Sequence, residues 1–371
     1  MKRLRAAVIL GGRSVEHEVS IVSAKSFVGA MDKSKYEPVL IGIDGAGKWH
    51  LLGGDFDAVD ERVHPDSGSA LRLLSDMPLL PSSSGPAEKE TEESAIGQID
   101  VVVPMVHGSF GEDGCIQGLC ELLNLPYVGA GVLGSALGMD KITTKRLFKA
   151  EGFPVAKFIS VEKWEWLQQP KRLKSRIGAR IGYPCFVKPS NSGSSVGITK
   201  VHEAKELESA LDSAAEHDRR IIVEEAIDAR ELECSVLGND EPVASVVGEI
   251  IPCNEFYDYD AKYIDESSEL VIPAKISQQI SHNIRNCAVR AFKLLDISGM
   301  ARVDFLMDRS TKRVYLNELN TIPGFTSISM YPKLWEASGV PYSELIDKLI
   351  ELAFERHKEK SMRRFDYGGS V

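Results

Sequence analysis

Short apolar runs separated by stretches of mixed polarity set the rhythm of the first third of the chain. Ala6-Ala-Val-Ile-Leu10 is a continuous apolar run that breaks into Gly11-Gly12-Arg13-Ser14, the pattern of a buried strand turning into a helix from about Val15. Val39–Ile43 repeats the signal as a second strand, and Ile99–Val106 as a third. Strands alternating with helices predict an open, mostly parallel sheet up to about residue 138. Residues 81–95, rich in Ser, Pro and Glu, read as a polar surface loop.

The next stretch predicts a helix over Lys141–Ala150, a strand over Cys185–Lys188 and a Ser/Gly-rich loop at 190–198. Strand-like runs follow at 221–225, 232–237, 243–251, 299–307 and 313–320, and an amphipathic helix runs from Tyr342 to about Lys358. The class is α/β, with an α+β second half. The expected units are 1–138, 139–215 and 216–371.

Composition narrows the function. A chain of 371 residues holds about two or three domains. Its 43% hydrophobic and 26% charged residues are those of an ordinary globular protein, and a net charge of -10 argues against general binding to nucleic acid or anionic membrane. No run approaches the roughly 18 apolar residues of a membrane span, and the basic-then-apolar start is too short for a signal peptide. Six scattered cysteines without a CxxC pair indicate neither a zinc site nor a disulfide framework, so a reducing cytoplasm is the expected setting.

Two stretches imitate nucleotide loops. Gly42–Lys48 fits GxxxxGK but continues in Trp49, where a P-loop needs a hydroxyl, so "DGAGKW" reads as a hairpin turn. Gly129, Gly131 and Gly134 fit GxGxxG, but late in the sheet rather than in its opening βαβ unit.

Candidate chemistry gathers at the end of the strand Val314-Tyr-Leu-Asn-Glu-Leu-Asn320, where Glu318 and Asn320 are two apart and share a face. The run containing Arg302 and Asp304 precedes it across five polar residues, 309–313, so a hairpin is expected with Leu306 opposite Leu316, Asp304 opposite Glu318 and Arg302 opposite Asn320. Two carboxylates directly opposite repel, and a cation between them would relieve this. Hard oxygen donors of this kind suit Mg²⁺. On the residues alone, a solvated hairpin fits equally well, and a slipped register would separate the carboxylates. The loop after Lys188, with Ser194 and Ser195, has the small residues and hydroxyls of a phosphate cradle, though a plain flexible linker would look similar. Glu224 and Glu231 could meet a nucleoside or simply face water.

In order, the chain carries Gly11-Gly-Arg-Ser-Val-Glu-His-Glu-Val-Ser20, His107-Gly-Ser-Phe-Gly-Glu-Asp-Gly114, Met139-Asp-Lys141 and the Lys188 loop. Phe256-Tyr-Asp-Tyr-Asp-Ala-Lys-Tyr263, Ala301-Arg-Val-Asp304 and Asn317–Ser327 complete the series. From about residue 5 to 350 the chain resembles the D-alanine–D-alanine ligase family of the ATP-grasp superfamily. The 81–95 loop and the tail after 356 depart from it.

That resemblance implies a three-domain ATP-grasp fold. ATP would phosphorylate one D-alanine, and the amine of a second would attack the resulting acyl phosphate, in peptidoglycan precursor synthesis. It implies two Mg²⁺ ions, with Mn²⁺ as a substitute, held by Asp304, Glu318 and Asn320. Lys141, Lys188, Ser194, Ser195 and Lys262 would meet the nucleotide's phosphates, Glu231 its ribose and Glu224 its adenine. Glu16 would hold the first ammonium and His107 lie near the first carboxylate, while Ser329 and the Met330 backbone would hold the second carboxylate. Arg302 and the Gly324 N–H would face the oxyanion. Ser194 and Tyr263, with Glu16, would tie the loop to a lid at about 254–268. Tyr263 favours an amine over the hydroxyl of D-lactate as second nucleophile. A D-alanine–D-lactate ligase and a catalytically silent ATP-grasp module are the competing expectations, and the intact oxyanion and substrate positions argue against the silent one. A homodimer is the default assembly.

Overall fold

The first apolar run becomes β1 (Leu4–Gly11), whose central residues are fully buried. The structure is a computed structural model describing residues 2–53, 62–64, 67–71, 99–193, 196–251, 269–326 and 328–364. Ser194, Ser195, the 81–95 loop and the expected lid at 254–268, with Lys262 and Tyr263, lie outside the described residues.

After β1 the chain turns at Gly11 and Gly12, with φ of +82° and +108°, into α1 (His17–Ala30). Glycine adopts such angles without strain, and a β-carbon on Gly11 would overlap the carbonyl of Ile43. The next strand, β2 (Tyr36–Ile43), is parallel to β1. The Asp44–Gly47 turn then leads into antiparallel β3 (Trp49–Leu52) and β4 (Gly68–Leu71), and β5 (Val101–Pro104) pairs parallel on the other side of β1. The order β4-β3-β2-β1-β5 gives a parallel centre with an antiparallel edge. Asp44 makes the hairpin, accepting backbone N–H bonds from Ala46 and Lys48 at 2.9 Å each.

Past α2 (Cys115–Leu122), the GxGxxG stretch opens α3 (Val132–Met139) and serves close packing. A β-carbon on Gly299 would lie 3.2 Å from the Gly129 backbone, and one on Gly134 would lie 2.9 Å from the Asp296 carbonyl. These glycines let the first unit touch the last.

The middle of the chain comprises α4 (Lys141–Ala150), β6 (Phe158–Glu162), α5 (Lys163–Gln168), α6 (Pro170–Arg180), β7 (Cys185–Pro189), β8 (Thr199–Val201), α7 (Leu207–His217) and β9 (Arg220–Glu225). Its antiparallel sheet runs β6-β9-β7-β8. Since β9 is an inner strand, this sheet continues past the expected boundary at 215 and closes at Glu225. Strict alternation divides its faces: Cys185, Val187, Ile221 and Val223 join a core with Leu173, Ile177 and Leu211, while Phe186, Lys188 and Glu224 line a cavity.

The last unit holds β10 (Ala229–Gly238), β11 (Val243–Ile251), β12 (Glu269–Val271), α8 (Gln278–Leu294), β13 (Gly299–Asp308), β14 (Val314–Asn320), α9 (Met330–Ala337) and α10 (Tyr342–Ser361). Its antiparallel sheet runs β12-β11-β10-β13-β14. Val303, Phe305 and Met307 pack with Leu316, Leu319 and Phe292 of α8, each large side chain contributing about 1.5–3 kcal/mol of burial. The apolar face of α10 (Leu345, Ile346, Leu349, Ile350) packs instead with Phe27, Val101 and Val103 of the first unit. Arg356 of α10 stacks over the Tyr127 ring, 4.1 Å from its centroid, and donates to the Tyr127 carbonyl at 2.8 Å. First and last units therefore share a core. Among the described residues, no helix is long and apolar enough to cross a membrane.

Candidate active site

Two sheets turn polar faces toward one cavity of about 760 Å³. On β13 the residues alternate, with Ala301, Val303, Phe305 and Met307 buried and Arg302, Asp304 and Leu306 lining the cavity. Across the hairpin Arg302 pairs with Asn320 and Asp304 with Glu318, as the loop length predicts. The expected Leu306–Leu316 rung is wrong. The register shifts after Asp304, so that Phe305 pairs with Leu316 and Leu306 with Tyr315. Asn317 is the extra residue of a β-bulge, which bends a strand and re-aims its side chains. The bulge keeps Leu316 and Leu319 in the core while Glu318 and Asn320 face the cavity.

Asp304 is held tightly. Arg302 donates from Nε to Oδ1 and from Nη2 to Oδ2, each at 2.7 Å, and Asn320 Nδ2 donates to Oδ2 at 2.9 Å. Glu318 faces Lys141 Nζ at 3.8 Å. Among the described residues, no three of His, Cys, Asp and Glu form a protein cage for a metal. Two carboxylates and an amide are a partial oxygen set, which fits Mg²⁺ because that ion keeps waters and substrate phosphates as its other ligands.

The cations come from the other side. Asp140 caps α4 by accepting from Thr143 N at 2.7 Å. Lys141 donates from its backbone N to the Ser190 carbonyl at 2.9 Å and from Nζ to the Ser192 carbonyl at 2.7 Å. One turn on, Lys145 is buried and meets Glu224 Oε1 at 2.6 Å, while Lys188 meets Glu224 Oε2 at 2.8 Å. Burial alone would raise the Glu224 carboxyl, but the two ammonium groups outweigh it and hold it at about 2. Burial pulls Lys145 below the usual lysine range, whereas Glu224 and Glu318 outweigh burial at Lys188 and raise it. Lys145 also donates to Asn317 Oδ1 at 3.3 Å, joining this cluster to the bulge. The Glu224 side chain is thus occupied with two lysines, and Phe186, Ala226 and Ile227 line the same cavity.

The first unit supplies the third wall. Glu16, 4% exposed, lies against Gly108 and Gly193, where β-carbons would overlap its carboxylate. Glu112 accepts from Gly108 N at 2.8 Å and from Ile322 N at 3.0 Å. Burial, with the Glu16 charge second, pushes its carboxyl up to about 8. His107 Nδ1 lies 3.0 Å from the Ile322 carbonyl, to which it donates, leaving Nε2, at 2.9 Å, to accept from Ser23 Oγ. Burial lowers its pKa, with Arg302 adding to the effect, and keeps the ring neutral. His107 and Glu112 therefore brace the Ile322-Pro-Gly324 loop.

At that loop's far end, Ser329 precedes the first turn of α9, and its Oγ accepts from Thr326 N at 2.9 Å. A β-carbon on Gly324 would meet this hydroxyl at 2.7 Å. The N–H groups opening α9, Met330 first, suit a carboxylate. Glu16, His107, Lys141, Lys188, Glu224, Glu231 and Arg302 line the cavity with Asp304, Glu318, Asn320, Gly324, Ser329 and Met330. Lys145, Glu112, Glu233 and Asn317 join the site without having been singled out from the sequence. Lys145 follows Lys141 by four and Glu233 follows Glu231 by two, spacings that put each on its neighbour's face; nothing local distinguishes Glu112 from Asp113.

The chain matches two family models, described as D-ala D-ala ligase N-terminus over residues 5–130 and D-ala D-ala ligase C-terminus over residues 147–351. A D-alanine–D-alanine ligase of Thermoanaerobacter sp. (strain X514) is 52% identical over 368 residues, covering 97% of this chain and 99% of that one. One from Ruminiclostridium cellulolyticum is 49% identical over 374 residues, with 97% of each covered. Among solved structures, the D-alanine-D-alanine ligase of Coxiella burnetii superposes with a TM-score of 0.80 at 38% identity over 97% of each chain. The VanG D-Ala:D-Ser ligase of Enterococcus faecalis gives 0.79 at 36% identity, over 95% of this chain and all of that one.

Proposed function

The chain belongs to the D-alanine–D-alanine ligase family, and from that premise we propose that it joins two D-alanine molecules into D-alanyl-D-alanine, driven by ATP with release of ADP and phosphate. The carrying observation is the convergence in one cavity of phosphate-directed cations (Lys141, Lys188), a hard oxygen set (Asp304, Glu318, Asn320) and oxyanion donors (Arg302, Gly324). The γ-phosphoryl group passes from ATP to a carboxylate oxygen of the first D-alanine. The amine of the second attacks that carbonyl carbon, and phosphate leaves as the C–O bond breaks.

In this reading Lys141 and Lys188 hold the phosphates, with Lys188 kept protonated by Glu224, and Glu231 meets the ribose. Glu16 takes the first ammonium. His107 and Glu112 fix the loop that aims the Gly324 N–H at the oxyanion beside Arg302, so the donors are in place before charge develops. Ser329 and the Met330 N–H hold the second carboxylate. Asp304, Glu318 and Asn320 would hold Mg²⁺, which when bound neutralises phosphate charge. Ser194, Ser195, Lys262 and Tyr263 complete the assignment as phosphate-loop and lid residues that exclude water from the acyl phosphate. The same reading puts the reaction in the cytoplasm, with the protein as a homodimer, the common soluble assembly.

The test is phosphate release with ATP, Mg²⁺ and D-alanine, followed by identification of the product. Absence of D-alanyl-D-alanine from folded protein sinks the proposal. D-lactate and D-serine serve as comparison second substrates, the latter because of the structural match to a D-Ala:D-Ser ligase. Asp304→Asn or Glu318→Gln is expected to abolish Mg²⁺-dependent turnover, and full turnover in either removes the metal assignment.

A further inference from the structure

Asp304 sits in the middle of a row of three carboxylates. On one side it faces Glu318 of β14, and on the other Glu233 of β10. Glu233 is only 5% exposed, and its other neighbour across the sheet, Gly248 of β11, brings no side chain. A buried carboxylate that stays ionised needs a positive charge beside it. Beside it stands Arg302, whose Nε is 2.9 Å from Glu233 Oε2. The same Nε is 2.7 Å from Asp304 Oδ1, and it donates there. One N–H thus has two carboxylates within reach and points in line at one of them.

Both oxygens of Asp304 are engaged, by the Arg302 fork and by Asn320. Any turn of Asp304 toward a cation must loosen that fork. A guanidinium that lost both of these hydrogen bonds would be freer to leave the site. Glu233 prevents this, because the N–H can pass from Asp304 to Glu233 with little movement of the arginine. We infer that Glu233 is a positioning residue, the permanent counter-ion that holds Arg302 at the oxyanion when Asp304 turns to the metal. This rests on the proposed roles of Arg302 and Asp304.

The test uses the full chain with Glu233→Gln, Arg302→Lys and their double variant. In Glu233→Gln, kcat is expected to fall roughly ten- to hundredfold, the scale of a displaced catalytic group. Excess Mg²⁺ should not restore it, and Mn²⁺·ADP affinity by calorimetry should change by less than about threefold. In the Arg302→Lys background the same substitution should cost nothing further, because coupled residues are not additive. Recovery at high Mg²⁺, an undiminished penalty in that background, or an unchanged kcat each overturns the inference. A readout independent of turnover is the Arg302 Nε–H resonance, assigned by its loss in Arg302→Lys. In wild type it should stay protected from solvent exchange when Mg²⁺ and ADP are added, and exchange like that of a free arginine overturns the inference even if Glu233→Gln fails to fold. Wild type making no dipeptide would instead sink the proposed reaction and leave the resonance to decide on Glu233.

Discussion

Gly193 lies so close to Glu16 that a β-carbon on it would overlap the Glu16 carboxylate. The central unit's loop thus rests directly on the acid proposed to hold the first D-alanine, and a β-carbon there would have to displace that carboxylate, with no demand from φ. Gly193→Ala is expected to lower kcat/KM for D-alanine by roughly tenfold or more while leaving the affinity for an ATP analogue within a few-fold. Gly178 of α6, whose β-carbon would meet nothing, is the control. Gly178→Ala should be silent in activity and raise stability by up to about 1 kcal/mol. Equal kinetic effects from the two would refute the steric account.

Lys145 gives a stability prediction. It is a buried cation with Glu224 at 2.6 Å. Lys145→Met leaves Glu224 with Lys188 alone, and the loss should be about 3 kcal/mol, near the lower end for breaking a buried pair. The remaining lysine is then drawn to Glu224, so KM for ATP should rise more than KM for D-alanine. Denaturant titration and steady-state kinetics check both, and a variant of native stability would show that Glu224 is adequately held by one lysine.

Glu112 sets a pH dependence. Its folded pKa of about 8 exceeds the ordinary 4.5. Between those values the folded protein keeps a proton that the unfolded chain has lost, so this contribution is complete below about 4.5 and is lost as pH rises through about 8. Glu112→Gln cannot titrate. The stability of wild type relative to this variant should therefore decline from about pH 5 to about pH 9. Melting curves for both proteins across that range decide it, and a constant difference would mean that Glu112 is ionised throughout.

Asn317 can be tested by removing it. Without it, Leu316 and Leu319 still face the core and Glu318 and Asn320 still face the cavity, because alternation becomes regular. Deletion of Asn317 is expected to fold, with a melting temperature within a few degrees of wild type, about the shift produced by 1 kcal/mol. Turnover should fall because the bulge no longer aims Glu318 and Lys145 loses its amide partner. A deletion variant with full activity would leave the bulge without a role.

Much of this is legible in the sequence. Continuous apolar runs at 6–10 and 39–43 had to be buried strands, and they are. The Asp304–Glu318 and Arg302–Asn320 rungs agree with counting across a five-residue loop, but only because two offsets cancel. Met307 pairs with Val314, so the loop is one residue longer, and the bulge at Asn317 restores the register. The Leu306–Leu316 rung does not agree, because Asn317 bulges without a glycine or other local mark. The sheet boundary also escaped, since β9 pairs between β6 and β7 and sequence order does not reveal strand order. Glu233 and Lys145 stayed hidden for a related reason: an acid on a strand and a lysine on a helix ordinarily face water, and only tertiary packing shows that these are buried.

The bulge has a further consequence for how the hairpin can change. Leu316 and Leu319 are three apart, an interval that belongs to helices, and they both reach the core only because Asn317 resets the parity of the strand. The arm toward the turn answers to the hydrophobic interior, and the arm from Glu318 onward answers to the reaction. Asn317 is a slip joint between them. Changes of length nearer the turn can be absorbed there, so the outer arm is free to vary while the carboxylate and amide beyond it hold their phase.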